Sequence, residues 1–179
     1  MSKLTAVLLA FAVFFGLAGC GSSSDIMLSD FEENMFINIP DNWDENKEKT
    51  SRGYTVLYDY TQRDADGTLK LELDKEEKIR SLSLVLLENY DSELVMKGTN
   101  DEVYKYLINL DNSEQLKFNS SKFIFNCCAM VDALLQRDME MSAFEIVDKA
   151  RTSGCKVGGW KFTLRISGET VVFNAEYSG

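Results

Sequence analysis

The chain has 179 residues, 45% of them hydrophobic, with 19 basic and 29 acidic side chains, no histidine and a net charge of −10. A protein this acidic, with pI ≈ 4.6, is repelled by phosphate backbones and by anionic headgroups, which disfavours nucleic acid as a partner and a basic face as a means of holding a membrane. The missing histidine removes the commonest general base and every serine or cysteine triad that depends on one.

Residues 1–24 fall into three parts: a short start with one positive charge at Lys3, an uncharged core from Thr5 to Gly19, and small residues after it. This is the layout of a secretory signal. The uncharged run from Leu4 to Gly19 falls short of the ~20 apolar residues that a membrane-crossing helix needs, and no basic cluster follows it. Residues Leu17-Ala18-Gly19-Cys20 resemble the lipobox of bacterial lipoproteins, a branched aliphatic residue and two small residues before a cysteine. The resemblance implies cleavage between Gly19 and Cys20, a diacylglyceryl group on the Cys20 sulfur, and acylation of the new amino group. Two or three acyl chains, at ~0.8 kcal/mol per buried CH₂, anchor stably where one does not. An ordinary signal peptide cut elsewhere is the competing reading. Gly21 stands where inner-membrane lipoproteins of enteric bacteria often carry Asp, which points to the outer membrane of a bacterial envelope, on its periplasmic side. The expected organisation is a signal peptide over 1–19, a lipidated cysteine with a flexible tether over 20–29, and a single domain over 30–179. Loss of residues 1–19 leaves 18 basic and 29 acidic side chains, a net charge of −11.

Within the domain, period-two alternation predicts strands over 54–60, 69–73, 81–87, 160–166 and 171–177, with weaker candidates over 35–39 and 94–97. Three connections are short: Asp64-Ala65-Asp66-Gly67, Asp74 to Lys78, and Ser167-Gly168-Glu169. Short connections imply antiparallel neighbours, since parallel strands need long crossovers. The D-x-D-G of the first connection also occurs in calcium-binding EF-hand loops, but that alignment puts Gln62, Lys70 and Leu73 at ligand positions they do not suit. A hairpin turn at Asp66-Gly67 needs less.

Three helices are predicted between the strand groups. Thr99-Asn100-Asp101-Glu102 has the form of a capping box ahead of Val103, Leu107 and Leu110. A longer helix follows Ser121, with Ile124, Cys127, Cys128, Val131, Leu134 and Leu135 on one stripe, and ends near Gln136. The third opens with a second capping box, Ser142-Ala143-Phe144-Glu145, and stops at Gly154. A one-sided antiparallel sheet must bury its apolar face, and these helices are the available cover. The expected fold class is therefore α+β: a two-layer sandwich of a mostly antiparallel sheet of about 5–7 strands, covered by about three helices inserted before a C-terminal β-hairpin.

With Cys20 committed to lipid, Cys127, Cys128 and Cys155 remain. In an oxidising compartment one disulfide is expected. Antiparallel packing of the second and third helices puts Cys155 within about one turn of the level of the other two, so the candidates are Cys128–Cys155 or Cys127–Cys155. Either closes a loop of about 28 residues, worth roughly 3 kcal/mol in the chain-entropy reading. Three buried free thiols are the alternative. The spacing does not match zinc ligation, and no metal or other cofactor is expected.

No catalytic residue is singled out. With 29 acids in the chain, pairs such as Glu32 and Glu33, Asp41 and Asp44, or Glu76 and Glu77 are expected by chance. Lys156, Lys161 and Arg165 form a positive stripe whose simpler role is cross-strand pairing with Glu176 or Glu72. Tyr54, Tyr58, Tyr60, Tyr104 and Tyr106 line a groove or, more simply, sit half-buried with hydroxyls reaching water. The expected function is a membrane-anchored, non-catalytic binding module, held to the bilayer through Cys20 and directed at an unidentified protein, a cationic one being the narrower version. An envelope hydrolase working through paired carboxylates and a carrier of a small apolar ligand are the alternatives.

Overall fold

The computed structural model describes residues 24–36, 44–62, 65–108, 112–136 and 141–179. Among them, seven strands, β1 (Asp44–Lys49), β2 (Tyr54–Gln62), β3 (Ala65–Leu73), β4 (Ile79–Leu87), β5 (Cys155–Val157), β6 (Trp160–Ser167) and β7 (Thr170–Tyr177), form one sheet in the order β1-β2-β3-β4-β7-β6-β5. Every neighbouring pair is antiparallel. One helix, α1 (Leu28–Phe36), precedes the sheet, and four, α2 (Ser92–Lys97), α3 (Asn100–Ile108), α4 (Gln115–Leu135) and α5 (Ala143–Thr152), lie between β4 and β5. The fold is the expected α+β, with more helices than the sequence signals.

Register explains the core. Val56, Leu71, Leu82, Ala175, Phe162 and Cys155 fall in one row across the strands, and Tyr58, Leu69, Leu84, Phe173 and Leu164 in a second row on the same face. All are buried, in one cluster with Phe31 and Met35 of α1, Phe123, Ile124 and Met130 of α4, and Ile146 and Val147 of α5. The stacked rings of Phe162 and Phe173, 6.0 Å apart, sit in the middle of that layer. The opposite face, where alternate residues point, is mostly polar, with the buried Val85 and Val172 paired on it. Ser83 donates a hydrogen bond to Asn174 Oδ1 at 2.7 Å, and Lys70 pairs with Glu72 at 2.8 Å.

Four expectations are corrected. Residues 24–29 are not tether: Ser24 is buried, its N–H and Oγ both donate to the Ile79 carbonyl at 3.0 and 2.7 Å, and Met27 bridges to Lys78. The chain therefore joins the domain at Ser24. The weak strands over 35–39 and 94–97 give way to helices, α1 reaching Phe36 and α2 ending at Lys97; residues 37–39 lie outside the described residues. Asp91, on whose carboxylate the Leu94 N–H is capped at 2.9 Å, starts α2, a cap that outweighs strand alternation in so short a segment. The first hairpin turns three residues early. Gln62 pairs with Ala65 and Tyr60 with Gly67, so Asp66-Gly67 lie inside β3, and the connection is Arg63-Asp64, outside the described residues.

Other turns follow their local chemistry. Asp74 Oδ1 accepts from the N–H groups of Glu76 and Lys78 at 2.8 and 3.0 Å, closing the β3–β4 connection as an Asx turn. The β1–β2 loop presses Gly53 onto the backbone of Leu73 and Asp74, where any Cβ would overlap the Leu73 carbonyl. Gly168, at φ +62, takes the first central position of the β6–β7 hairpin, which glycine fills without steric cost.

Candidate functional site

Gly19 and Cys20, the expected cleavage and lipid-attachment positions, lie outside the described residues, as do Asp41 and the Arg63-Asp64 turn. The remaining candidates can be placed residue by residue.

Cys127, Cys128 and Cys155 are free thiols, so neither Cys128–Cys155 nor Cys127–Cys155 is bridged in the structure. The reason is that Cys155 does not extend the last helix. That helix ends at Thr152, Gly154 turns the chain at φ +82, and Cys155 enters the sheet as the first residue of β5, opposite Phe162. Cys127 is buried under the helices, and Cys128 points instead into a groove between helices. Burial pushes the Cys127 thiol well up, with the neighbouring Cys128 adding to it. Burial and then the Asp132 carboxylate push Cys128 up to about 12. Both are held as neutral thiols, the opposite of what a nucleophile requires.

The groove that receives Cys128 lies between α3, α4 and α5. Its volume is about 420 Å³, and Tyr104, Leu107, Phe125, Cys128, Asp132 and Phe144 are among its lining residues. Both capping boxes help to set its walls. The Glu102 N–H donates to Thr99 Oγ1 at 3.3 Å and the Thr99 N–H to Glu102 Oε2 at 2.8 Å, while Ser142 and Glu145 make the same exchange. Next to it, the buried guanidinium of Arg151 ties α5 to the α2–α3 junction by donating from Nη1 to the Gly98 carbonyl at 2.7 Å. The same nitrogen meets Asp148 at 3.2 Å, and the Phe144 ring lies 5.4 Å from the guanidinium carbon. Nε and Nη2 of Arg151 have no hydrogen-bond partner among the described residues. Desolvation raises the Asp132 carboxyl above its ordinary value. The groove is thus aromatic and weakly acidic, with no basic or nucleophilic group activated in it.

The tyrosines do not converge. Tyr58 is buried on the core face and donates to Glu32 of α1; Tyr54 carries Lys47 over its ring at 4.9 Å. Tyr104, 54% exposed, edges the groove, whereas Tyr106 on the same helix receives Lys117, whose Nζ donates to its hydroxyl at 3.2 Å. The side chain of Tyr60 lies outside the described residues. Of the positive stripe, Lys161 alone stands opposite an acid, Glu176; its other neighbour is Lys156, and Arg165 faces Val172. Glu76 and Glu77 pair with Lys78 and Lys47. No group of three or more potential metal-ligating side chains occurs among the described residues, and none of their helices is long and apolar enough to cross a membrane.

Sequence reasoning missed the groove, because it is built from three helices whose outward residues carry no common spacing. Arg151 was missed as well: it stands at i+4 from Val147, at the edge of the apolar stripe, but its charge reads as a surface cation until the tertiary fold buries it. In comparison with known proteins, the chain matches no protein family, no curated protein and no solved structure.

Proposed function

We propose that this protein is a lipid-anchored component of a bacterial cell envelope, held on the periplasmic side of the outer membrane, that works by binding a partner rather than by catalysis. The observation that carries the reading is the run Leu17-Ala18-Gly19-Cys20 at the end of an uncharged stretch too short to span a bilayer. The non-catalytic part is supported by the thiols, which burial keeps protonated, and by Glu32, Glu76 and Glu77, carboxylates engaged with Tyr58, Lys78 and Lys47. A mature charge of −11 favours a cationic protein as partner, by steering association at low ionic strength.

Metabolic labelling with a palmitate analogue tests the anchor. The full chain should take up the label and sediment with membranes, while Cys20→Ala should be unlabelled and released into the soluble fraction. An unlabelled wild-type chain, or identical fractionation of the two, overturns the reading.

A further inference from the structure

The two ends of the sheet differ in charge, and the chain enters at one of them. Ser24, Ile26 and Leu28 are hydrogen-bonded to Ile79 and Glu77, beside the Asp74–Lys78 turn, and the Thr50–Gly53 loop presses on that turn through Gly53. On β1 to β4 and the entering chain, this end carries Lys47, Lys49, Arg52, Lys75, Lys78 and Arg80 against Asp25, Glu48, Glu72, Asp74, Glu76 and Glu77, six of each sign. At the opposite end of the same strands, Asp59 shares a row with Arg165, Asp66 pairs with Leu87, Glu88 donates its N–H to the Glu169 carbonyl, and Asp91 caps α2. Among the described residues six carboxylates there, with Asp44 opposite Asp59, face one cation. The ends are separated by the nine residues of β2, about 26 Å at ~3.3 Å per residue.

Cys20 is four residues before Ser24, and four residues of fully extended chain reach at most ~14 Å. An acyl group on Cys20 therefore holds the Ser24 end against the headgroups, and the domain cannot turn over without tearing Ser24 and Met27 from the sheet. The field selects the same pose. A Debye length of ~8 Å at physiological ionic strength leaves the distal carboxylates screened from the bilayer, while the balanced end sits within range. From these facts we infer that the end formed by residues 24–27, 50–53 and 74–80 is a membrane-contact face, with Lys49, Arg52 and Lys75, all exposed, meeting the anionic headgroups of the anchoring bilayer. The inference rests on the anchoring proposed above.

Full-length lipidated protein in phosphatidylcholine vesicles, with and without phosphatidylglycerol, tests it. A fluorophore on Ser51→Cys should be quenched several-fold more by a headgroup-attached quencher than one on Glu169→Cys, with the unsubstituted protein correcting for the native thiols. Phosphatidylglycerol should widen that difference, and the triple variant Lys49→Gln, Arg52→Gln, Lys75→Gln should cancel the widening. Equal quenching at the two positions in protein that carries the palmitate label overturns the contact face alone. Protein that takes up no palmitate and leaves the vesicles overturns the anchor itself. A difference that phosphatidylglycerol does not change removes the headgroup contacts from the inference and leaves the tether geometry.

Discussion

Helices α4 and α5 lie side by side over the same sheet and are specified in opposite ways. α5 is written locally: a capping box at Ser142 and Glu145 fixes its start, and its apolar residues Ala143, Ile146, Val147 and Ala150 make one buried stripe. α4 has no side-chain cap on Glu114 and is buried on most of its circumference, polar residues included. Its first half is held largely by contacts with the segment from Asn89 to Asp91, backed by one bond inside the helix. Asn119 Nδ2 donates to the Asn89 carbonyl at 2.9 Å and Gln115 Nε2 donates to Asn119 Oδ1 at 2.8 Å, while Ser120 Oγ accepts from the Asp91 N–H at 2.7 Å. A capped amphipathic helix announces its ends, whereas a buried one takes them from its neighbours.

The sharpest way to break that contrast is to hollow α4. Phe123 is fully buried, and Phe123→Ala should cost about 3–5 kcal/mol in denaturant unfolding, with α5 lost in the same transition. Two separate transitions would show that α5 stands without α4. Next in size is Asn119→Ala, which removes two hydrogen bonds from a buried site and should cost about 1–3 kcal/mol. A cost near zero would mean that burial alone recruits the polar first half of α4. The smallest effect belongs to the local signal, with Ser142→Ala expected to cost about 1 kcal/mol.

This last effect carries a pH signature. Hydrogen bonds from the Ser142 backbone and side chain hold the Glu145 carboxyl below the usual carboxylate range, and those from Thr99 do the same for Glu102. The folded state thus favours the ionised form. The contribution of each box is present above the unfolded carboxylate value of ~4.3 and is lost as pH falls through the lower folded value. Urea titrations of wild type and Glu145→Gln should therefore converge in acid, whereas Ser142→Ala keeps the part of its cost that comes from losing the Glu145 N–H bond to Ser142 Oγ; a Glu145→Gln gap that stays constant with pH would remove the reciprocal half of the box.

The same division decides what was legible beforehand. The strands with one dry face and the two capping boxes could be read directly, because each signal lies within a few residues of what it specifies. β1 could not: Asp44 to Lys49 contain no apolar residue, and the strand exists because β2 offers it a ladder. Nor could the start of α4, since Asn119, Ser120 and Ser121 read as a polar interruption until Asn89 and Asp91 are brought alongside. Gly67 read as a turn because Asp-Gly is a strong hairpin signal, yet the ladder opposite Tyr60 and Leu86 claimed it for β3. Of the candidate site, Cys127 could be placed on a dry helix face, but Cys128 turns into the groove, and neither could be paired, because the route of the chain after Gly154 is set by β6.

β1, with no apolar residue, also explains why the sheet stops at seven strands among the described residues. Glu45 and Lys47 share rows with Tyr58 and Val56 and so stand on the apolar side, where a further strand would have to bury them. The opposite border, β5, is three residues long, too short to template a neighbour. Copies concentrated on a two-dimensional surface, as the proposed anchor would bring about, collide far more often than in free solution. A sheet finished in this way lets them crowd without zipping into fibrils.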